Sequence, residues 1–124
     1  MKYLLLIVFI VFSGCNQKAE PTTAKKHKEK YYQTKLCNQL QGKMEVRLSD
    51  KTRIDCLTDE YAIEVDFAKK WAEGIGQSLY YGYMTGKQPA VGLICGKKDK
   101  RFLKRLETVA KRENIKVFII PKED

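Results

Sequence analysis

Between Lys43 and Phe67 the chain changes side at every residue. In KMEVRLS, residues 43–49, Met44, Val46 and Leu48 alternate with Glu45, Arg47 and Ser49, the period of a half-buried strand. SDKT turns the chain, RIDCLT (53–58) reads as a second strand, Asp59 and Glu60 turn it again, and YAIEVDF (61–67) is a third. In that third strand Ile63, Val65 and Phe67 point one way, Glu64 and Asp66 the other. Upstream, KYYQTKLCNQLQG (30–42) spaces its apolar residues at 31, 32, 36, 37 and 40 for a helix that Gly42 stops. Beyond Phe67 the period lengthens. Ala68, Trp71, Ala72, Ile75, Leu79 and Tyr83 predict a helix over 68–86, closed by Gly86 and Pro89. Gly74 and Gly76 weaken that helix unless they admit close packing on the sheet. PAVGLICG (89–96) suits a strand buried on both faces, KDKRFLKRLETVAKREN (98–114) an amphipathic helix, and IKVFIIPK (115–122) a last strand. The order αβββαβαβ predicts an α/β fold: a meander followed by βαβ crossovers, giving a small mixed β-sheet flanked by helices.

The acids of the hairpin carry the candidate chemistry. A symmetric turn about Asp59 and Glu60 sets Asp55 opposite Glu64, with Asp66 next along the same face. Two carboxylates ~4 Å apart repel by about 4 kcal/mol at an effective dielectric near 20. An open, salty face reduces that to a fraction and leaves the acids idle. Three candidate helices beside so small a sheet favour a covered face instead, and the acids stand in a chain of formal net charge +9. Mg²⁺ or Mn²⁺ bound by Asp55, Glu64 and Asp66 removes the conflict and suits phosphodiester chemistry. Glu45 joins them if the SDKT turn brings it beside Asp55; the same turn can place Arg47 there as an ion pair.

With Asp55 on the second strand, Glu64 on the third, and IGQSLYY carrying Gln77 and Tyr81 one turn apart on the next helix, the chain resembles the PD-(D/E)xK nuclease superfamily and its RecB-like exonuclease branch. The resemblance spans residues 30–122. It implies a restriction-endonuclease-like fold, a Mg²⁺-dependent deoxyribonuclease with DNA as partner, and a catalytic set of Asp55, Glu64, Asp66, Lys70, Gln77 and Tyr81. The chain departs from the family at Asp66, which stands where the family carries its lysine. Lys69 or Lys70 can supply the missing cation on a flexible stem, Lys70 from the Gln77 side of the helix. Asp66 can serve as a third metal ligand or as a base for the attacking water. The remaining alternative is a catalytically inactive nuclease-fold module that binds nucleic acid or a protein partner.

The N-terminus adds location. KYLLLIVFIVFSG (2–14) is too short for a comfortable membrane span and suits a signal peptide. The FSGC junction resembles a bacterial lipoprotein signal, with Cys15 lipidated. The organisation expected is a signal peptide over 1–14, a polar tether over 15–29 and a folded domain over 30–124, exported and held at the cell envelope by its lipid. The only histidine, His27, falls in the Lys-rich tether and is read as solvated. With no histidine in the domain, Ser-His-Asp and Cys-His catalysis are excluded there. Cys37 and Cys56 can pair, although Cys56 and Cys95, inside strands, also suit small apolar core residues. The basic run from Lys97 to Arg105 attracts polyanions: nucleic acid, anionic lipid or acidic glycans. An envelope lipoprotein that blocks entry of foreign DNA or phage also fits tether and charge.

Overall fold

The computed structural model describes residues 26–123, so the signal segment 1–14, Cys15 and most of the tether lie outside the described residues. Helix α1 (Glu29–Gln39) leads into strands β1 (Lys43–Arg47), β2 (Arg53–Leu57) and β3 (Tyr61–Phe67). A single 3₁₀ turn, Ala68–Lys70, opens helix α2 (Trp71–Thr85). Strand β4 (Gln88–Cys95), helix α3 (Lys100–Glu113) and strand β5 (Lys116–Pro121) complete the domain. The strands lie in sequence order in one five-stranded mixed sheet. β1, β2 and β3 run antiparallel, while β3, β4 and β5 run parallel, as two crossover helices require. Among the described residues no helix is long and apolar enough to cross a membrane.

The two faces are covered differently. On one, Tyr32, Leu36 and Cys37 of α1 pack on Ile63, Val65, Ala90 and Ile94. A Cys37–Cys56 disulfide fastens α1 to β2, and Cys95 remains a free, half-buried thiol. On the other face Trp71, Ile75 and Leu79 of α2 and Leu106 and Ala110 of α3 cover Val91 and Leu93. Gly86, at φ 71°, ends α2 in the left-handed conformation that glycine adopts without strain, and its N–H donates to Gly82 O at 2.9 Å.

Three sequence expectations change. Glu29, placed in the tether, opens α1. His27 is half-buried rather than free in solvent, with its ring stacked on Tyr31 at 3.9 Å between centroids. The alternation of Met44, Val46 and Leu48 does not keep one side. Met44 packs in the α1 cluster, whereas Val46 and Leu48 pack around Ile54 and Tyr81. The cause is Glu45, whose φ of 52° turns the pleat over in mid-strand. Its neighbour β2 turns over with it: Cys56 belongs to the α1 side and Ile54 to the Tyr81 cluster.

Candidate functional site

The acids sit where β2 and β3 part. Their ladder holds two pairs, Cys56↔Ile63 and Leu57↔Ala62, in the register that would continue to Asp55 opposite Glu64. Instead of extending it, side chains take over the backbone's partners. Asp55 Oδ2 accepts the Val65 N–H at 2.9 Å, and Gln33 of α1 donates from Nε2 to Asp55 O at 3.0 Å. Two main-chain groups that a wider gap would orphan are satisfied in this way. The Asp55 carboxylate is thereby drawn towards β3, where Glu64 and Asp66 point to the α2 side.

Both β3 acids are buried, Glu64 at 6% exposure and Asp66 at 4%. Glu64 Oε2 and Asp66 Oδ2 have no hydrogen-bond partner. Burial, with Asp55 and Asp66 nearby, pushes the Glu64 carboxyl up to about 9. In that state Glu64 keeps its proton at neutral pH, beside the Asp55 carboxylate. Burial also raises Asp66, to about 7; the Glu29 charge adds to this and Lys70 opposes it. Asp55 itself is raised by burial, against the pull of the Val65 N–H and the Glu64 proton. Gly74 is what lets α2 lie so close: a Cβ there would meet Asp66 Oδ2 and Val91 Cγ1, each at 3.2 Å.

The helix residues divide. Tyr81 is buried beside Ile54 and Ala62, and its hydroxyl is raised first by burial and then by Glu64 and Asp55, which places it next to the acid pair. Lys70 is exposed at the end of the 3₁₀ turn, close enough to lower both Asp66 and Glu29. Gln77 is exposed on α2, and no hydrogen bond ties it to the acids. Glu45 lies near enough to raise Asp55, but its carboxylate accepts from Lys30 Nζ at 2.7 Å. Arg47 pairs across the ladder with Arg53, not with Asp55.

Three further residues belong to the neighbourhood and were outside the candidate set, although Glu73 shares the helix face of Lys70, Gln77 and Tyr81 in the sequence. Glu29, raised by burial and held near Asp55, Glu73 and Lys70, adds negative charge from the start of α1. Glu73, one turn beyond Lys70, raises Asp66 from α2. Gln33 anchors Asp55 from behind. The i, i+4 spacing of Glu29, Gln33 and Cys37 on one helix face is the only hint of the two α1 residues in the sequence.

The donor chemistry suits a hard divalent ion, with carboxylate oxygens only and two of them orphaned. Among the described residues, however, no three such side chains stand in an arrangement that could hold an ion, and Asp55 Oδ2 is already taken by the Val65 N–H. Holding one requires these side chains to converge. At the C-terminal ends of the parallel strands, Lys69 and Lys70 follow β3, Lys97 and Lys98 follow β4, and Lys122 follows β5. Among the described residues the ion pairs involve only Lys30, Lys35 and His27, so this rim is uncommitted. Arg105 of α3 lies over Trp71 at 6.0 Å and extends the rim to the head of α2. An open cleft of about 700 Å³ is lined by Leu40, Leu57, Asp59, Glu60, Tyr61 and Lys87 among others, and Asp55, Glu64 and Asp66 are not part of it. Protein-family models, characterised proteins and solved structures were compared with the chain, and none matches it.

Proposed function

We propose that the protein is a divalent-metal-dependent nuclease that hydrolyses DNA phosphodiester bonds on a restriction-endonuclease-like fold, lipid-anchored through Cys15 at the cell envelope. The observation that carries this is the pair of buried, unpartnered carboxylate oxygens on Glu64 and Asp66, beside Asp55. A buried polar atom left without a partner costs about 1–3 kcal/mol, a cost that a ligand at the site would recover. Asp55, Glu64 and Asp66 would hold Mg²⁺ or Mn²⁺. Such an ion supplies Lewis-acid stabilisation of phosphate charge and a more acidic bound water.

The chain's own groups have separate tasks. Lys70, exposed and electrostatically coupled to Asp66, stands in for the lysine displaced from position 66 and stabilises negative charge on the phosphate. Tyr81 packs behind Asp55 and Glu64 and keeps water from that side. Gln77, exposed one turn before Tyr81, is positioned to touch the substrate rather than the acids. The lysine rim and Arg105 engage the phosphate backbone without reading sequence.

The second reading, a nuclease-fold module that binds without cleaving, is favoured by one specific observation: as the side chains stand, no three donors among the described residues converge. Degradation of plasmid and oligonucleotide substrates in Mg²⁺, Mn²⁺ or EDTA separates the two. Asp55→Ala and Glu64→Ala each abolish metal-dependent cleavage if the site is catalytic. Equal cleavage by wild type and both variants identifies a contaminant and leaves the binding module.

A further inference from the structure

Helix α1 is fastened to β2 twice, one helical turn apart, at consecutive strand residues. Gln33 reaches Asp55 through the hydrogen bond to its carbonyl, and Cys37 reaches Cys56 through the disulfide. Gln33 is buried at 5% exposure and Cys37 at 0%. The two fastenings lie where β2 leaves β3 and its pleat turns over. Gly42 closes over the bridge so tightly that a Cβ there would come within 2.5 Å of Cys56 Sγ and 2.9 Å of Cys37 Sγ. Together with the left-handed Glu45 that turns the pleat over, this clamp opposes continuation of the β2 ladder along β3. Were the ladder to continue, the Val65 N–H would take a backbone acceptor, and the Asp55 carboxylate would lose the partner that aims it at Glu64.

We propose that Gln33 and the Cys37–Cys56 disulfide are the positioning elements of the acid site, so that the site is assembled only in the oxidised chain. The proposal rests on the nuclease reading for its consequence, though not for its geometry. In a reducing compartment both cysteines are thiols and Asp55 is aimed by Gln33 alone. On export, a disulfide-bearing oxidant of the thiol–disulfide exchange class closes the bridge. The two thiols give up two protons and two electrons, the Cys37–Cys56 bond forms, and the oxidant's disulfide is reduced to two thiols. A DNA-cleaving chain is thereby kept latent until it leaves the compartment that holds the cell's own DNA. Cys95 takes no part: its thiol is pushed up to about 11 by burial and then by Asp99 and Glu107, and it belongs to the α2 and α3 side of the sheet.

The test uses the full chain, oxidised or reduced with a dithiol, together with Gln33→Met, the double variant Cys37→Ser/Cys56→Ser, and Cys95→Ser as control. Two readouts are independent of cleavage: hydrogen exchange of the Val65 amide and the carboxyl ¹³C shift of Asp55. A third is the split of Mg²⁺-dependent cleavage into kcat and KM. Gln33→Met in the oxidised chain is expected to speed Val65 exchange and move the Asp55 carboxyl signal. It should lower kcat by ~10–100-fold with KM nearly unchanged, the signature of a misplaced catalytic group. Reduction and the double variant act in the same direction, Cys95→Ser does not, and re-oxidation restores the wild-type chain. An Asp55 signal and a Val65 amide that stay unchanged in both Gln33→Met and the reduced chain overturn the proposal. If no form cleaves DNA, the nuclease reading falls while the two spectroscopic readouts still decide the clamp. If the reduced chain unfolds altogether, Gln33→Met in the oxidised chain decides alone.

Discussion

Ile63 and Val65 leave β3 towards α1; Glu64 and Asp66 leave it towards α2. The first pair is at 0% exposure and the second at 6% and 4%, so the two faces of one strand are almost equally dry. Their chemistry is opposite. On the α1 face the packed cluster is apolar apart from the disulfide sulfurs and the Tyr32 hydroxyl, with Gln33 beside it, and burial there stabilises the fold by removing hydrocarbon from water. On the α2 face burial forces a proton onto Glu64 and leaves two oxygens without partners. One face is built for stability, while the other holds a cost that the apolar face offsets. Dry acids of this kind mark a site more convincingly than acids in a wet cleft, because water does not already satisfy them.

The contrast can be broken from either side. On the apolar face, Ile63→Ala removes fully buried methylenes beside the disulfide and is expected to cost about 2–5 kcal/mol in urea unfolding. On the acidic face, Glu64→Gln goes the other way in the absence of metal, a gain of ~1–3 kcal/mol at pH 8, while cleavage is lost.

The pH dependence gives that gain its sign. Glu64 is raised from 4.5 to about 9, so the folded state holds the proton more tightly than the unfolded chain. Its contribution is therefore fully present below about pH 4.5 and is lost as pH rises towards 9. Asp66, raised from 3.8 to about 7, adds a similar loss over its lower window. Metal-free wild type should become steadily less stable from pH 4.5 to 9, and Glu64→Gln should flatten much of that slope. A wild-type profile that rises with pH over this range would show Glu64 to be an ordinary solvated carboxylate. Saturating Mg²⁺ should lift stability most at the alkaline end, since the ion competes with the proton for the same oxygens.

The smallest effects belong to Gly74 and Gly76 of α2. A Cβ at Gly76 would meet nothing within 4 Å, so Gly76→Ala should stabilise by about 0.4–1 kcal/mol through helix propensity alone. Gly74→Ala should gain less or lose, because its methyl meets Asp66 and Val91 at 3.2 Å, and it should impair cleavage where Gly76→Ala does not. Equal behaviour of the two would mean that the approach of α2 to the acids has no consequence.

Much of the elements and the common face of Glu64 and Asp66 was legible in the sequence, because both depend on short-range periodicity; the direct Asp55–Glu64 strand pair expected from it is not formed, since the ladder ends at Cys56 and Ile63. Alternation through residues 61–67 gave Glu64 and Asp66 a common face, and the tight turn at Asp59 and Glu60 fixed the register on which Asp55 approaches Glu64. The reversal of β1 and β2 at Glu45 was not legible, since a left-handed glutamate carries no compositional signal of the kind glycine does. Glu29 was hidden because its place is set by tertiary contact with Phe67 and Lys70, while its sequence neighbours are lysines typical of a solvated tether. The same holds for Gln33, a polar residue whose burial depends on a carbonyl 22 positions away.

The central claim is that the dry acids of β3 are a cation site. Electron paramagnetic resonance titration of the full chain with Mn²⁺ at about pH 7.5, where the ion must compete with the Glu64 proton, tests it without reference to any substrate. Saturable binding of one ion by wild type, weakened at least about tenfold in Asp66→Asn and in Glu64→Gln, is the expected result. Failure of wild type to take up Mn²⁺ at millimolar concentration, or binding that neither substitution changes, would contradict it.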